Sequence, residues 1–211
     1  MPTLFATKES GALTLPTLMT VAAPEQQIAV DQLQKLGAKE NLNGLLLANL
    51  LSAFTQLERD AVHLYRCVAE KTRFDAWRSR YAEFGKESED HVRIYEELIS
   101  KLGGNPRYVS PNARMCEYKD TKLMEPILLS GSVDEVTLEL TCLEAVITAE
   151  NQCHANWELL DELADTITDT SLKGAIQDAV KQVMPQEDAH LKWAKSTWQQ
   201  TVIRYLTRQA A

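Results

Sequence analysis

The sequence predicts an all-α fold, a four-helix bundle built as two antiparallel hairpins joined by a long crossover. Three observations predict it. The 211 residues are rich in Leu, Ala and Glu, and Gly and Pro are few and fall at segment ends, a balance that favours helix over sheet. Four long segments carry apolar residues at steps of three and four, the period of one helical face. The first and second of these segments nearly touch in sequence, as do the third and fourth, whereas about 28 residues separate the second from the third, long for a plain loop in a compact domain.

Taken in order, residues 1–23 contain Gly11, Pro16 and several Thr. They lack a basic start followed by a clean apolar run, and read as a loosely docked arm rather than a signal peptide. Residues 24–211 form one domain. A short helix runs from about Pro24 to Leu36 and stops at Gly37. The four long segments cover Leu42–Thr72, Phe74–Leu102, Val133–Ala164 and Ser171–Thr207. The second ends in Leu102-Gly103-Gly104-Asn105-Pro106, where glycine can take the left-handed cap and proline forbids continuation. The fourth starts at Asp169-Thr170-Ser171, a cluster of good N-cap residues. Between Gly103 and Gly131 there are turn residues and no strong period, which reads as a loop travelling the length of the bundle. Pro185 predicts a kink or a split in the fourth segment.

The composition excludes several function classes. A net charge of −8 gives no generic attraction for phosphate backbones, so nucleic acid and anionic membrane are poor partners. No apolar run is long enough to span a bilayer. Cys67, Cys116, Cys142 and Cys153 are scattered with no Cys-x-x-Cys pair. They read as reduced thiols of a cytoplasmic protein, and they supply neither a zinc ribbon nor a rubredoxin-type iron centre.

Each apolar stripe is interrupted near its middle by ionisable residues. In the first, Glu58 lies between Phe54 and Ala61. In the second, Ser88 and His91 lie between Phe84 and Tyr95. In the third, Glu150 lies between Ile147 and Trp157, and in the fourth, Glu187 and His190 lie between Val183 and Ala194. An unpaired buried carboxylate costs several kcal/mol (order of magnitude) and ordinarily protonates or finds a partner. Three Glu and two His aimed into one core therefore call for a divalent cation, which carboxylates neutralise and neutral imidazoles ligate. Glu187-Asp188-Ala189-His190 is Glu-x-x-His, both side chains on one face a turn apart. Glu58 and Glu150 are each followed at +3 and +7 by a small residue and a large aromatic: Ala61 and Tyr65, Cys153 and Trp157. His91 and His190 then occupy equivalent places on the second helix of each hairpin.

These residues resemble a family. Ala53-Phe54-Thr55-Gln56-Leu57-Glu58 with Ala61 and Tyr65 resembles the first helix of rubrerythrins and bacterioferritins, members of the ferritin-like superfamily. His91 with the Leu102-to-Pro106 terminus is similar to their second helix, Glu150 to the third-helix glutamate, and Glu187 with His190 to the fourth-helix motif. The resemblance covers about residues 41–207. It implies a ferritin-like bundle with two irons, manganese being the alternative, held by four Glu and two His. Glu58 and Glu150 would be terminal ligands, Glu187 a bridge, and His91 and His190 one anchor per metal. One position departs. Where the family pattern wants Glu three residues before the second-helix His, this chain has Ser88. Glu87 is the nearest substitute, able to reach in through a helix rotation or a π-bulge.

The resemblance implies oxidoreductase chemistry with O₂ or peroxide, rubrerythrin-like peroxide reduction or ferroxidase activity, with electrons from an external donor. Separately, a homodimer burying the outer faces of two long helices is the expected assembly. The alternative is a non-catalytic ferritin-like scaffold with a degenerate metal site, which Ser88 favours; iron storage in a hollow shell ranks third. The plainer readings are that His91 is a hydrogen-bonded core histidine, that Glu58 or the Glu187–His190 pair lines a solvated face, and that Cys153 and the tryptophans only fill space; Tyr65 and Tyr95 read as core filling, with hydrogen bonds to ligands or electron transfer as the alternative.

Overall fold

A computed structural model describes residues 23–36, 40 and 42–207; the expected N-terminal arm, apart from Ala23, and the stop at Gly37 lie outside the described residues. The chain is all-helical, with no strand among the described residues. Among the described residues six α-helices follow one another: α1 (Val30–Lys35), α2 (Gly44–Lys71), α3 (Asp75–Lys101), α4 (Pro111–Leu128), α5 (Glu135–Thr166) and α6 (Thr170–Thr207).

The helix ends follow local chemistry. Asn43 Oδ1 accepts from Leu46 N to start α2. Asp134 Oδ1 accepts from the amides of Val136 and Thr137 to start α5. Asp169 Oδ1 does the same for Ser171 and Leu172 at α6. Each satisfies amides that have no partner in the first turn. α3 stops where Gly103 takes φ +82°, a conformation glycine adopts without penalty. Pro185 does not split α6, which runs through it without interruption.

Neighbouring long helices are antiparallel. Arg59 pairs with Glu96, and seven residues later Arg66 approaches Glu89, so α2 ascends as α3 descends. On the other hairpin His154 meets Asp188 and Glu144 meets Trp198. α2 packs on α5 and α3 on α6, closing a ring of four.

Two expectations need correction. The stretch from Pro24 to Leu36 is not one helix but a 3-10 turn, Pro24–Gln26, and the separate short α1. The carbonyls of Glu25 and Gln27 accept from the Asn105 side chain, and that of Gln26 accepts from Val109 N, so tertiary partners replace the next helical turn. The crossover is not a loop: it contains the 18-residue α4. Ser110 Oγ accepts from Ala113 N, and Pro111 holds the first helical position, where its missing N–H costs nothing. α4 lies along the outside of α2. Ser52 ties it there, donating to the Tyr108 carbonyl and accepting from Ser110 N.

The core has two apolar ends with a polar layer between them. One end gathers Leu51, Phe54, Tyr95, Trp157, Val180 and Val183. The other gathers Leu64, Tyr65, Tyr81, Phe84, Leu143 and Val146. Burial at both ends removes the layer from water and raises the energetic stakes of every polar group in it. Among the described residues no helix is long and apolar enough to cross a membrane.

Candidate metal centre

The polar layer collects five of the residues singled out above. Glu58 comes from α2, His91 from α3, Glu150 from α5, and Glu187 and His190 from α6. Both histidines are 0% exposed, Glu58 and Glu187 1% and Glu150 2%, so water stabilises none of them. The i and i+3 spacing of Glu187 and His190 turns both inward.

These residues form two overlapping groups. Glu58, His91 and Glu187 offer one ligand atom each within 4.8 Å of one another, and so do Glu150, Glu187 and His190. Glu187 belongs to both. His91 Nδ1 lies 3.3 Å from Glu58 Oε2 and 3.0 Å from Glu187 Oε1. His190 Nδ1 lies 3.2 Å from Glu150 Oε2. The imidazole planes are inclined by 25°, their centroids 6.1 Å apart.

Four of the five are held from behind. Trp157 Nε1 donates to Glu58 Oε1 at 2.9 Å, and Tyr65 Oη donates to Glu150 Oε1 at 2.6 Å. Gln186 Oε1 lies 2.9 Å from His91 Nε2, and Glu87 Oε2 lies 2.7 Å from His190 Nε2. The pattern repeats across the two hairpins. The aromatic seven residues after each glutamate serves the glutamate of the other hairpin. The residue four before each histidine serves the other histidine. Each of these four residues thus spends one polar atom on its support and turns the other inward.

Glu187 has no such support. Its Oε2 is buried without any hydrogen-bond partner. Buried Glu139, by contrast, is satisfied: it accepts from Thr72 Oγ1, at 3.0 and 2.9 Å, and from Arg73 N at 2.8 Å. The orphan oxygen, the shared position and a donor set of three carboxylates and two imidazoles fit a divalent transition metal.

Electrostatics point the same way. Burial, then the charges of Glu150 and Glu58, push the Glu187 carboxyl well above the usual carboxylate range, and His91 only partly offsets this. Burial opposes charge on His91, but its hydrogen bonds to the Glu187 and Glu58 carboxylates overcome that and lift the imidazole to about 11. Burial likewise opposes charge on His190, and Glu150 and Glu87 raise it regardless. These shifts all favour the protonated forms of Glu187, His91 and His190.

Sequence reasoning placed Glu87 as a substitute ligand; the structure puts it outside both ligand groups, against the outer nitrogen of His190. Ser88 is buried in the layer at the position equivalent to Glu187. Tyr65 donates to Glu150, the alternative to plain core filling, whereas the reading of Trp157 as space-filling missed its hydrogen bond to Glu58. Glu144 is exposed. Asp60 was not singled out at all. On α2 beside the centre, its buried Oδ2, like that of Asp120 on α4, has no donor. Burial, and then Asp120 beside it against the opposing pull of Gln56, lifts Asp60 to about 7.

No protein-family model, curated protein or solved structure matches this chain, so its function is argued from the geometry of this centre.

Proposed function

We propose that the chain is a ferritin-like protein that binds two divalent metal ions, iron with manganese as the alternative, and uses them in oxidoreductase chemistry on O₂ or peroxide. The observation that carries this reading is Glu187, a buried carboxylate common to two Glu/His groups and left with an orphan oxygen. Glu58 and His91 would hold one ion, Glu150 and His190 the other, with Glu187 between them. Bound iron would supply electrons one at a time to an oxygen substrate. The chain's own residues keep the imidazole Nδ1 atoms turned inward, exclude water through the apolar ends, and take up or release protons at Glu187 and the histidines. Electrons for repeated turnover would come from an external donor, and the assembly would be a homodimer burying the outer faces of two long helices.

The test is elemental analysis after anaerobic ferrous loading, comparing the unaltered chain with Glu58→Ala and His190→Ala. About two ions per chain, reduced in both variants, supports the reading, by the ligand-count logic of such sites. No specific metal in the unaltered chain refutes it. A second reading, a non-catalytic scaffold with a degenerate site, is favoured by Ser88 in place of a second bridging carboxylate. Fewer than two bound ions in the unaltered chain, with no O₂ or peroxide turnover, would support that one.

A further inference from the structure

Two differences between the halves of the centre bear on its charge. Serine at 88 matches glutamate at 187, and Glu87 matches Gln186. The first difference leaves a single bridging carboxylate, from α6. The second decides what stands behind each imidazole: a carboxylate oxygen 2.7 Å from His190 Nε2, an amide oxygen 2.9 Å from His91 Nε2.

Charge makes these two differences one problem. Two divalent ions bring four positive charges, and Glu58, Glu150 and Glu187 as ligands return three. Glu87 is the fourth carboxylate, but it acts through the ring of His190 and so reaches only one half. A carboxylate accepting from the outer N–H of a ligating histidine fixes its tautomer and raises its basicity toward the metal. An amide oxygen fixes the tautomer equally well but adds no charge.

Resting on the metal-site reading above, we propose that the two positions are unequal: the position at Glu150, His190 and Glu187 fills first and binds roughly 10- to 100-fold more tightly than the position at Glu58, His91 and Glu187, because only His190 is backed by a carboxylate. Glu87 is a positioning residue in this scheme, not a ligand.

The experiment is an anaerobic cobalt(II) titration of the full chain, followed by visible absorption and by heat. Two resolved steps are expected, the tighter abolished by His190→Ala and the weaker by His91→Ala. Glu87→Gln should weaken the tight step by roughly 10- to 100-fold and bring the two together. Gln186→Glu should tighten the weak step and leave the tight one in place, a gain that a misfolded variant cannot imitate. Equal steps in the unaltered chain, or Glu87→Gln weakening both alike, would overturn the inequality while leaving two bound ions intact. Absence of any cobalt binding would instead overturn the metal-site reading, and the inequality with it.

Discussion

Replacing Asp60 with Asn should stabilise the metal-free protein at neutral pH and do nothing at pH 4. Asp60 is 6% exposed and faces Asp120 across the α2–α4 contact. Its carboxyl is lifted from 3.8 to about 7. The folded state therefore keeps a proton that the unfolded chain releases above pH 3.8. Because the native state binds more protons, stability falls as pH rises between those two values, by at most about 1.4 kcal/mol per unit. Over the whole interval the ceiling is about 4 kcal/mol, reached near pH 7 and constant above it. In Asp60→Asn the amide can donate to Asp120 in place of the retained proton, and its oxygen can still accept from Gln56, whose Nε2 lies 2.9 Å from Asp60 Oδ1. Urea unfolding of both proteins, with chelator present, at intervals from pH 4 to pH 8 measures the difference directly. It should open from near zero to a few kcal/mol and then level off. A difference independent of pH, or one that narrows as pH rises, would refute the reasoning.

The remaining predictions concern the centre and its support. Trp157→Phe and Tyr65→Phe each strip a donor from a buried glutamate oxygen, at 2.9 and 2.6 Å. Each should destabilise the metal-free fold by about 1–3 kcal/mol in urea denaturation. Because His91 sits at about 11 and a metal takes the neutral imidazole, binding should release protons. Apparent cobalt affinity should then rise with pH from 6 to 8, by up to about tenfold per unit for each proton displaced, as isothermal titration in buffers of different ionisation heat would show. The same raised value stabilises the metal-free fold fully below pH 6.5, and that contribution disappears only as pH climbs through about 11. Gly44→Ala would place a Cβ 1.9 Å from the Leu33 carbonyl oxygen. It should push α1 off α2 and cost about 1–3 kcal/mol, read as a lower unfolding midpoint.

The four long helices were legible because their ends carry strong local signals, such as Gly103 and Asp169, and their faces keep an unbroken step of three and four. The five inward residues were legible for the same reason: a charge placed on an otherwise apolar stripe declares its direction. α4 escaped detection although its inner face has that step too, through Ala113, Cys116, Asp120, Leu123 and Ile127. Two of those residues are small, one is an acid, and Pro126 lies in the last turn, so the stripe is only faintly apolar. Its partner surface is the outer side of α2, with Ala53 and Leu57 against Cys116 and Cys153. A helix docked on the back of a bundle needs little apolar area and leaves little trace of it. The crossed supports were illegible for another reason. That Trp157 serves Glu58 and Tyr65 serves Glu150 depends on how far α2 and α5 slide along each other, which no single stripe encodes.

The supports also bear on whether the polar layer is structural. A buried polar network that serves stability alone satisfies its atoms on all sides, as Glu139 does with Thr72 and Arg73. Here the outward atoms of Glu58, Glu150, His91 and His190 are satisfied and fixed, while the inward atoms meet only one another and Glu187. Such an arrangement puts carboxylates in repulsion and retains protons at considerable cost, and apolar residues of the same volume would do better for the fold. Rigid support from outside combined with frustration inside is what a ligand-binding cavity requires, because the support fixes the donors before the ligand arrives. A ligand that relieves the frustration must be small, positively charged and able to accept both oxygen and imidazole donors. Protons meet these conditions for one or two donor atoms at a time, whereas a metal ion could take three or more of them together.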